Sequence, residues 1–197
     1  HELLGEGASG HIYRASLHSG HKLSDDKPAT GIALKIFKAG QTSDGTPQSE
    51  LAAGLCAGQH PHLLPPPANI HGEPNCKLAM ALPLLPSGLQ ALASPPSLQS
   101  CTRDVYAPGT QFARAAAERM LGHIRSAVTH LHGRGMLHGD LYAHNILWNQ
   151  DTGDAVLSDL GAAALLQELP PAQITQLQQM ELRALRHLED EVQTRIT

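Results

Sequence analysis

The sequence predicts an α+β fold, with a strand-rich first part that carries one helix and a mainly helical second part. Three observations lead there. Glycines 5, 7 and 10 sit between two apolar, strand-like pieces near the start. Residues 31–38 alternate as a strand does, and between Thr110 and His132 apolar residues recur at helical spacing. With 197 residues the chain can bury one good core or two small lobes that share a cleft, and a third full domain would not fit.

In the run Leu3 to Ala15, Gly5-x-Gly7-x-x-Gly10 is followed by Ile12, Tyr13 and Ala15, which alternate like a strand. A dinucleotide fingerprint needs its glycines to lead into a helix instead. Glycines joining two strands make either an ordinary hairpin or a flap whose backbone N–H groups can lie over phosphates. Residues 16–31 are rich in Gly, Ser, Asp and Pro and read as a loop. The strand Gly31 to Lys38 places Ala33, Lys35 and Phe37 on one face. A lysine among apolar neighbours is either exposed at a sheet edge or needs an anionic partner, since a lone buried ammonium is very costly. A short helix is expected from Ser49 to Cys56, and its Glu50 is the candidate partner. His60-Pro61 ends that helix, residues 63–70 read as a strand end and turn, and Lys77 to Leu82 reads as a buried strand. The segment Pro83-Leu84-Leu85-Pro86-Ser87-Gly88 reads as the link into the second part, which puts the expected boundary between residues 1–84 and 85–197.

Residues 89–109 look like loop. Thr110 is the expected cap of a helix to His132, with Phe112, Ala116, Met120, Ile124, Ala127, Val128 and Leu131 on one stripe and Gly133 and Gly135 ending it. Ile146 to Trp148 and Ala155 to Leu157 flank Asp151-Thr152-Gly153 and make a hairpin. A last helix is expected over residues 172–192, with Ile174, Leu177, Leu185, Leu188 and Val192 apolar.

The chemistry concentrates around Met136 to Leu147. Asp140 and Asn145 stand five residues apart in a short loop between a helical and an apolar run, and Asp159 follows at the far end of the hairpin, beside Gly161. An isolated Asp in a turn is ordinarily a turn former. Three such oxygen-bearing groups are what a hydroxyl and one or two Mg²⁺ ions require.

Composition narrows the alternatives. A net charge of -4 with scattered basic residues leaves no footprint for nucleic acid. Cys56, Cys76 and Cys101 are odd in number and widely spaced, which argues for a reducing compartment such as the cytoplasm. With no run of about 18 apolar residues, no membrane span is expected. The pairs His60/His62 and His130/His132 lack a Cys or carboxylate at ligand spacing, so metal binding by them is not expected. The chain begins at His1 on a strand-like stretch and reads as a piece of a longer polypeptide.

Taken together and in order, these pieces resemble a protein kinase. Gly5 to Ile12 resembles the glycine-rich loop, Ile32-Ala33-Leu34-Lys35 the lysine strand, His138-Gly139-Asp140 through Asn145 the catalytic loop, and Asp159-Leu160-Gly161 the metal-binding triplet. The run Pro95 to Asp104 together with His-Gly-Asp-Leu-Tyr-Ala-His-Asn is similar to kinase-like domains of bacteria and plants, some attached to leucine-rich repeats. The resemblance implies an antiparallel-sheet first lobe with one helix, a reduced helical second lobe, and ATP and Mg²⁺ as cofactors. It implies that Gly5, Gly7, Gly10, Ile12, Ala33, Leu82, Pro83, Leu85 and Leu147 surround the nucleotide and that Lys35 contacts its phosphates while paired with Glu50. Asp140 would be the base, Asn145 and Asp159 the metal ligands, and Pro83 and Leu85 the carbonyl and N–H that adenine needs. The expected activity is transfer of the γ-phosphate to a protein Ser or Thr hydroxyl, including one of its own.

Three departures qualify that picture. Gly139 replaces the arginine that usually answers an activation-segment phosphate, and Tyr142 stands where serine/threonine kinases carry a lysine. Only 36 residues follow Gly161, with no Ala-Pro-Glu motif, although Glu181 is placed to brace the catalytic loop from below. A nucleotide-binding pseudokinase acting as an interaction module and a small-molecule kinase are the alternative readings.

Overall fold

The computed structural model describes residues 2–6, 10–15, 31–38, 45–64, 68–70, 79–100 and 102–197. They form two compact units, one of residues 1–58 with 65–86 and one of residues 59–64 with 87–197.

The first unit is a five-stranded antiparallel sheet with one helix. Its strands are β1 (Glu2–Glu6), β2 (Gly10–Ala15), β3 (Ile32–Phe37), β4 (Ala68–Ile70) and β5 (Ala79–Pro83), in the order β1-β2-β3-β5-β4. The period-two pattern of β3 buries Ala33, Lys35 and Phe37 while Leu34 and Ile36 stay partly exposed. Pairing sets Lys35 opposite Ile12 on one side, and Ala33 opposite Leu82 on the other. Gly10 is glycine for a steric reason, since a Cβ there would come within 2.5 Å of the Ile36 carbonyl oxygen. Helix α1 (Pro47–Ala57) starts two residues earlier than the apolar pattern indicates. Thr46 and Ser49 form a reciprocal capping box, and Pro47 fills the first helical position, where no N–H is needed.

The second unit is built on two long helices. Helix α2 (Arg114–Gly133) buries Ala116, Met120, Ile124, Ala127, Val128 and Leu131, the stripe its sequence announces. The expected Thr110 cap is corrected: the helix starts four residues later, at a position without a side-chain cap, and the Thr110 hydroxyl donates to the Ala107 carbonyl. Phe112 lies outside the helix because its backbone is bridged to Ile196, with Phe112 N–H donating to Arg195 O at 2.8 Å and Thr197 N–H donating to Phe112 O at 3.1 Å. Helix α3 (Pro171–Gln193) buries Glu181, Leu185, Leu188 and Val192, one helical face at three- and four-residue steps.

The five strands among the described residues of this unit are all two or three residues long. Within residues 89–109, read from sequence as loop, β6 (Gln90–Ala91) pairs with β8 (Ile146–Trp148), which in turn pairs with β9 (Ala155–Leu157). Strand β7 (Met136–Leu137) pairs with β10 (Ala164–Leu165). The two-residue β7–β10 ladder joins both ends of the segment that carries Asp140, Asn145 and Asp159.

Candidate active site

In the first unit, Lys35 and Glu50 form a buried ion pair. Lys35 Nζ lies 2.6 and 2.8 Å from the two Glu50 carboxylate oxygens, and the residues are 6% and 7% exposed. The ammonium also lies 5.1 Å from the Phe37 ring centroid, so an aromatic face covers it on the same side of β3. Gly5 sits at an irregularity in the β1–β2 ladder, and no described residue lies within 4 Å of where its Cβ would be. Gly7 lies outside the described residues. Leu82 is buried in β5, Pro83 closes that strand, and Leu85 follows it half-buried, with an N–H that makes no hydrogen bond among the described residues.

In the second unit, Asp140 and Asn145 are directly joined. The Asn145 amide donates from Nδ2 to the Asp140 backbone oxygen at 2.9 Å and to Asp140 Oδ2 at 2.7 Å. Two acceptors at that end require it to be the NH₂, which turns Asn145 Oδ1 away with no hydrogen bond among the described residues. Residues 143–145 form one 3-10 turn, and Asn145 is 7% exposed. Ser158, across the hairpin, donates both its N–H (2.8 Å) and its hydroxyl (2.9 Å) to the Asn145 carbonyl, which ties the start of β8 to the residue before Asp159. Asp159 takes a left-handed backbone at φ 59°, unusual for a residue with a side chain. One of its carboxylate oxygens accepts the Gly161 N–H at 3.0 Å, and the other has no hydrogen-bond partner among the described residues. Leu147 is partly exposed in the middle of β8, opposite Ala91 and Val156.

The donor set suits magnesium. Asn145 Oδ1 and one Asp159 oxygen are hard donors that could hold it, with no hydrogen bond among the described residues, and Mg²⁺ is ordinarily held by few protein oxygens together with waters and substrate phosphates. No group of three or more His, Cys, Asp or Glu that could hold a metal ion occurs among the described residues.

Four residues around Asp140 carry weight that the sequence reading did not give them, or gave only in outline. Buried Glu181 accepts the Gly139 N–H at 2.9 Å and contacts His132 Nε2 at 2.7 Å, which is the bracing from below that its position suggests. His138, fully buried, lies 2.9 Å from the Ser158 carbonyl through Nε2 and accepts the Asp140 N–H at Nδ1. Asp104 reaches the loop from a distant segment, its carboxylate accepting the N–H groups of Ala143 and His144 at 2.9 Å each. His144 stands between two acids, with Nδ1 2.7 Å from Asp104 and Nε2 3.8 Å from Asp140. Burial opposes charge on His144, yet its contacts with Asp104 and Asp140 outweigh burial and raise its pKa to about 9. The same imidazole is the main influence holding the Asp140 carboxyl below the usual range, with burial opposing and the Asn145 amide assisting. Asp104 left one trace in the sequence, as the last residue of the Cys-Thr-Arg-Asp run.

The family model for protein tyrosine and serine/threonine kinases matches residues 1–185. The chain belongs to this kinase family. A curated relative, CBL-interacting protein kinase 22 of Oryza sativa subsp. japonica, is 26% identical over 179 residues, covering 82% of the chain and 35% of the relative. Among solved structures, the Cydia pomonella granulovirus kinase PK-1 shares the fold at a TM-score of 0.56 and 15% identity, covering 83% of this chain and 53% of that one. The chain thus spans about a third of the curated relative's length and about half of the structural neighbour's. No helix among the described residues of this kinase domain is long and apolar enough to cross a membrane.

Proposed function

We propose that this domain is an ATP-dependent protein kinase that transfers the γ-phosphate to a Ser or Thr hydroxyl, on another protein or on its own chain. The observation that carries the reading is the clamped pair in the loop. Asn145 holds the Asp140 carboxylate through Nδ2 while its own carbonyl oxygen is left for a cation. A carboxylate kept ionised and fixed in direction suits a group that orients an attacking hydroxyl and receives its proton. Phosphoryl transfer asks for positioning and charge neutralisation more than covalent chemistry.

In this reading Lys35, aligned by Glu50, contacts the ATP phosphates, and Gly5, Gly7, Gly10 and Ile12 belong to the loop that covers them. Ala33, Leu82 and Leu147 line the adenine pocket, where Pro83 contributes a carbonyl and Leu85 its N–H. Asn145 and Asp159 hold Mg²⁺, which supplies neutralisation of the charge on the transferred phosphoryl group. The protein's own part is to hold Asp140 ionised, keep the loop rigid, and present both metal-facing oxygens without competing hydrogen bonds. Residues 1–84 and 85–197 act as the two lobes, and the sparse, widely spaced cysteines suit the cytoplasm.

The test is incubation with γ-labelled ATP and Mg²⁺, with and without casein as a generic acceptor, for the wild type and for Asp140→Asn and Asp159→Asn. Labelling of protein by the wild type alone is expected. Nucleotide-dependent thermal stabilisation without any transfer would instead make the domain a nucleotide-binding module.

A further inference from the structure

Asp104 is a fully buried carboxylate whose hydrogen bonds among the described residues all go to two neighbouring residues of the loop. One oxygen accepts the Ala143 N–H, and the other accepts the His144 N–H and lies 2.7 Å from His144 Nδ1. A carboxylate is costly to bury. Capping the short turn at residues 143–145 would account for the two backbone bonds but not for the third, which reaches the imidazole. That ring is held on its other side as well. It stacks on Tyr142 at 5.5 Å between centroids and 22° between planes, and Arg103 lies 4.5 Å above the Tyr142 ring. Arg103 also donates from Nη2 to the Leu141 carbonyl at 3.3 Å. Two adjacent residues, 103 and 104, therefore grip four successive residues, 141–144.

The ring nitrogen opposite the Asp104 contact, Nε2, lies 3.8 Å from Asp140 Oδ2, the same oxygen that receives the Asn145 amide at 2.7 Å. We infer that Asp104 and His144 form a positioning relay for Asp140: Asp104 fixes the backbone and ring of His144, and His144 with Asn145 fixes the direction of the Asp140 carboxylate. The inference rests on the phosphotransferase reading. It makes His144 and Asp104 positioning residues, neither of which touches the transferred group.

The variants are His144→Ala, His144→Gln and Asp104→Asn in the full chain, assayed for transfer from γ-labelled ATP to casein and for autophosphorylation. For His144→Ala, kcat should fall about 10- to 100-fold with KM for ATP nearly unchanged, because a misdirected carboxylate costs rate rather than nucleotide binding. The variant also takes one partner from the buried Asp104 carboxylate, so its melting temperature should fall, and kcat is therefore read per folded protein well below that temperature. Added imidazole should restore part of the kcat of His144→Ala, which a merely structural histidine would not show. Asp104→Asn should lower kcat likewise and speed amide exchange at Ala143 and His144. The relay is overturned if His144→Ala keeps wild-type kcat, or if its lost activity tracks loss of folded protein and does not respond to imidazole. Unchanged exchange at Ala143 and His144 in Asp104→Asn overturns the anchoring step. Failure of the relay alone leaves wild-type transfer intact, whereas a wild type that labels nothing removes the phosphotransferase reading and the relay with it.

Discussion

Replacing Gly139 by alanine tests whether the His-Gly-Asp form is a backbone requirement or simply an arginine lost. Gly139 has φ 81°, and a Cβ built there overlaps the carbonyl group of Ala162, just past the Asp159-Leu160-Gly161 turn. The left-handed backbone alone costs a non-glycine residue about 1–2 kcal/mol. Relieving the overlap requires backbone to move, which by analogy with overpacked cores adds about 1–3 kcal/mol. The expected loss is therefore about 2–5 kcal/mol, a large share of the 5–15 kcal/mol typical of a whole domain. Gly109 is the internal control: it too has a left-handed φ, 76°, but no described residue lies within 4 Å of its absent Cβ. Gly109→Ala should cost only the conformational part, about 1–2 kcal/mol. Urea denaturation of the wild type and both variants reads the two costs separately. The reasoning fails if the two variants are equally stable. It fails equally if Gly139→Arg, which would restore the usual arginine, folds as well as the wild type and transfers phosphate faster.

Lys35→Met removes the cation that both Glu50 oxygens face, and breaking a buried pair from one side should cost about 3–5 kcal/mol by chemical denaturation. The double change Lys35→Met with Glu50→Leu should recover much of that, and equal stability of single and double variants would sink the argument. Glu181→Gln should lose about 1.5–3 kcal/mol by weakening a charged acceptor of the Gly139 N–H and its contact with His132, with faster exchange of the Gly139 amide as the readout. The melting temperature should also depend on mildly acidic pH through His60 and His123. Burial lowers the His60 pKa, helped by His130 and His62; burial and His62 lower that of His123, with Asp154 opposing and Arg119 assisting. Both rings also accept backbone N–H groups at Nδ1, His60 from His62 and His123 from Ala155. Because the unfolded chain binds these protons more readily, their contribution is complete above the ordinary histidine pKa of about 6.5 and declines as pH falls below it. His60→Asn should flatten the melting temperature between pH 7 and 5, and an unaltered slope would remove His60 from the account.

Local chemistry made part of this molecule legible in its sequence. The alternation around Lys35 marked the inward face of β3, where a lysine has to find an acid, and Glu50 is that acid. The 3.6-residue stripe marked α2, and Asp-Thr-Gly marked the turn between β8 and β9. What stayed hidden depends on residues far apart in the chain. Helix α2 does not begin at Thr110 because Phe112 is pulled into a bridge with Ile196, a pairing across 84 residues that no capping rule contains. Strands β6 and β10 are two residues each, too short to show a period. Asp104 and His138 are polar residues whose burial follows from the loop they serve, and neither has a local pattern that would announce it.

The loop from His138 to Asn145 is held by hydrogen bonds from several side chains. Its N–H groups at Gly139, Asp140, Ala143 and His144 go to side chains: Glu181, His138 and, for the last two, Asp104. Those at Tyr142 and Asn145 close short turns on the carbonyls of Asp140 and Tyr142. A loop held by regular secondary structure has its direction set by its neighbours in sequence, whereas this one is also held by residues 39–42 positions away. Asn145 Oδ1 and one Asp159 oxygen, by contrast with most N–H groups of the loop, have no hydrogen bond among the described residues. Unpartnered acceptors within a fixed polar network lose less ordering entropy when a cation arrives and need little rearrangement to bind it. The same network accounts for a glycine at position 139: Glu181 accepts the glycine's own N–H, and the left-handed backbone there leaves no room for a side chain.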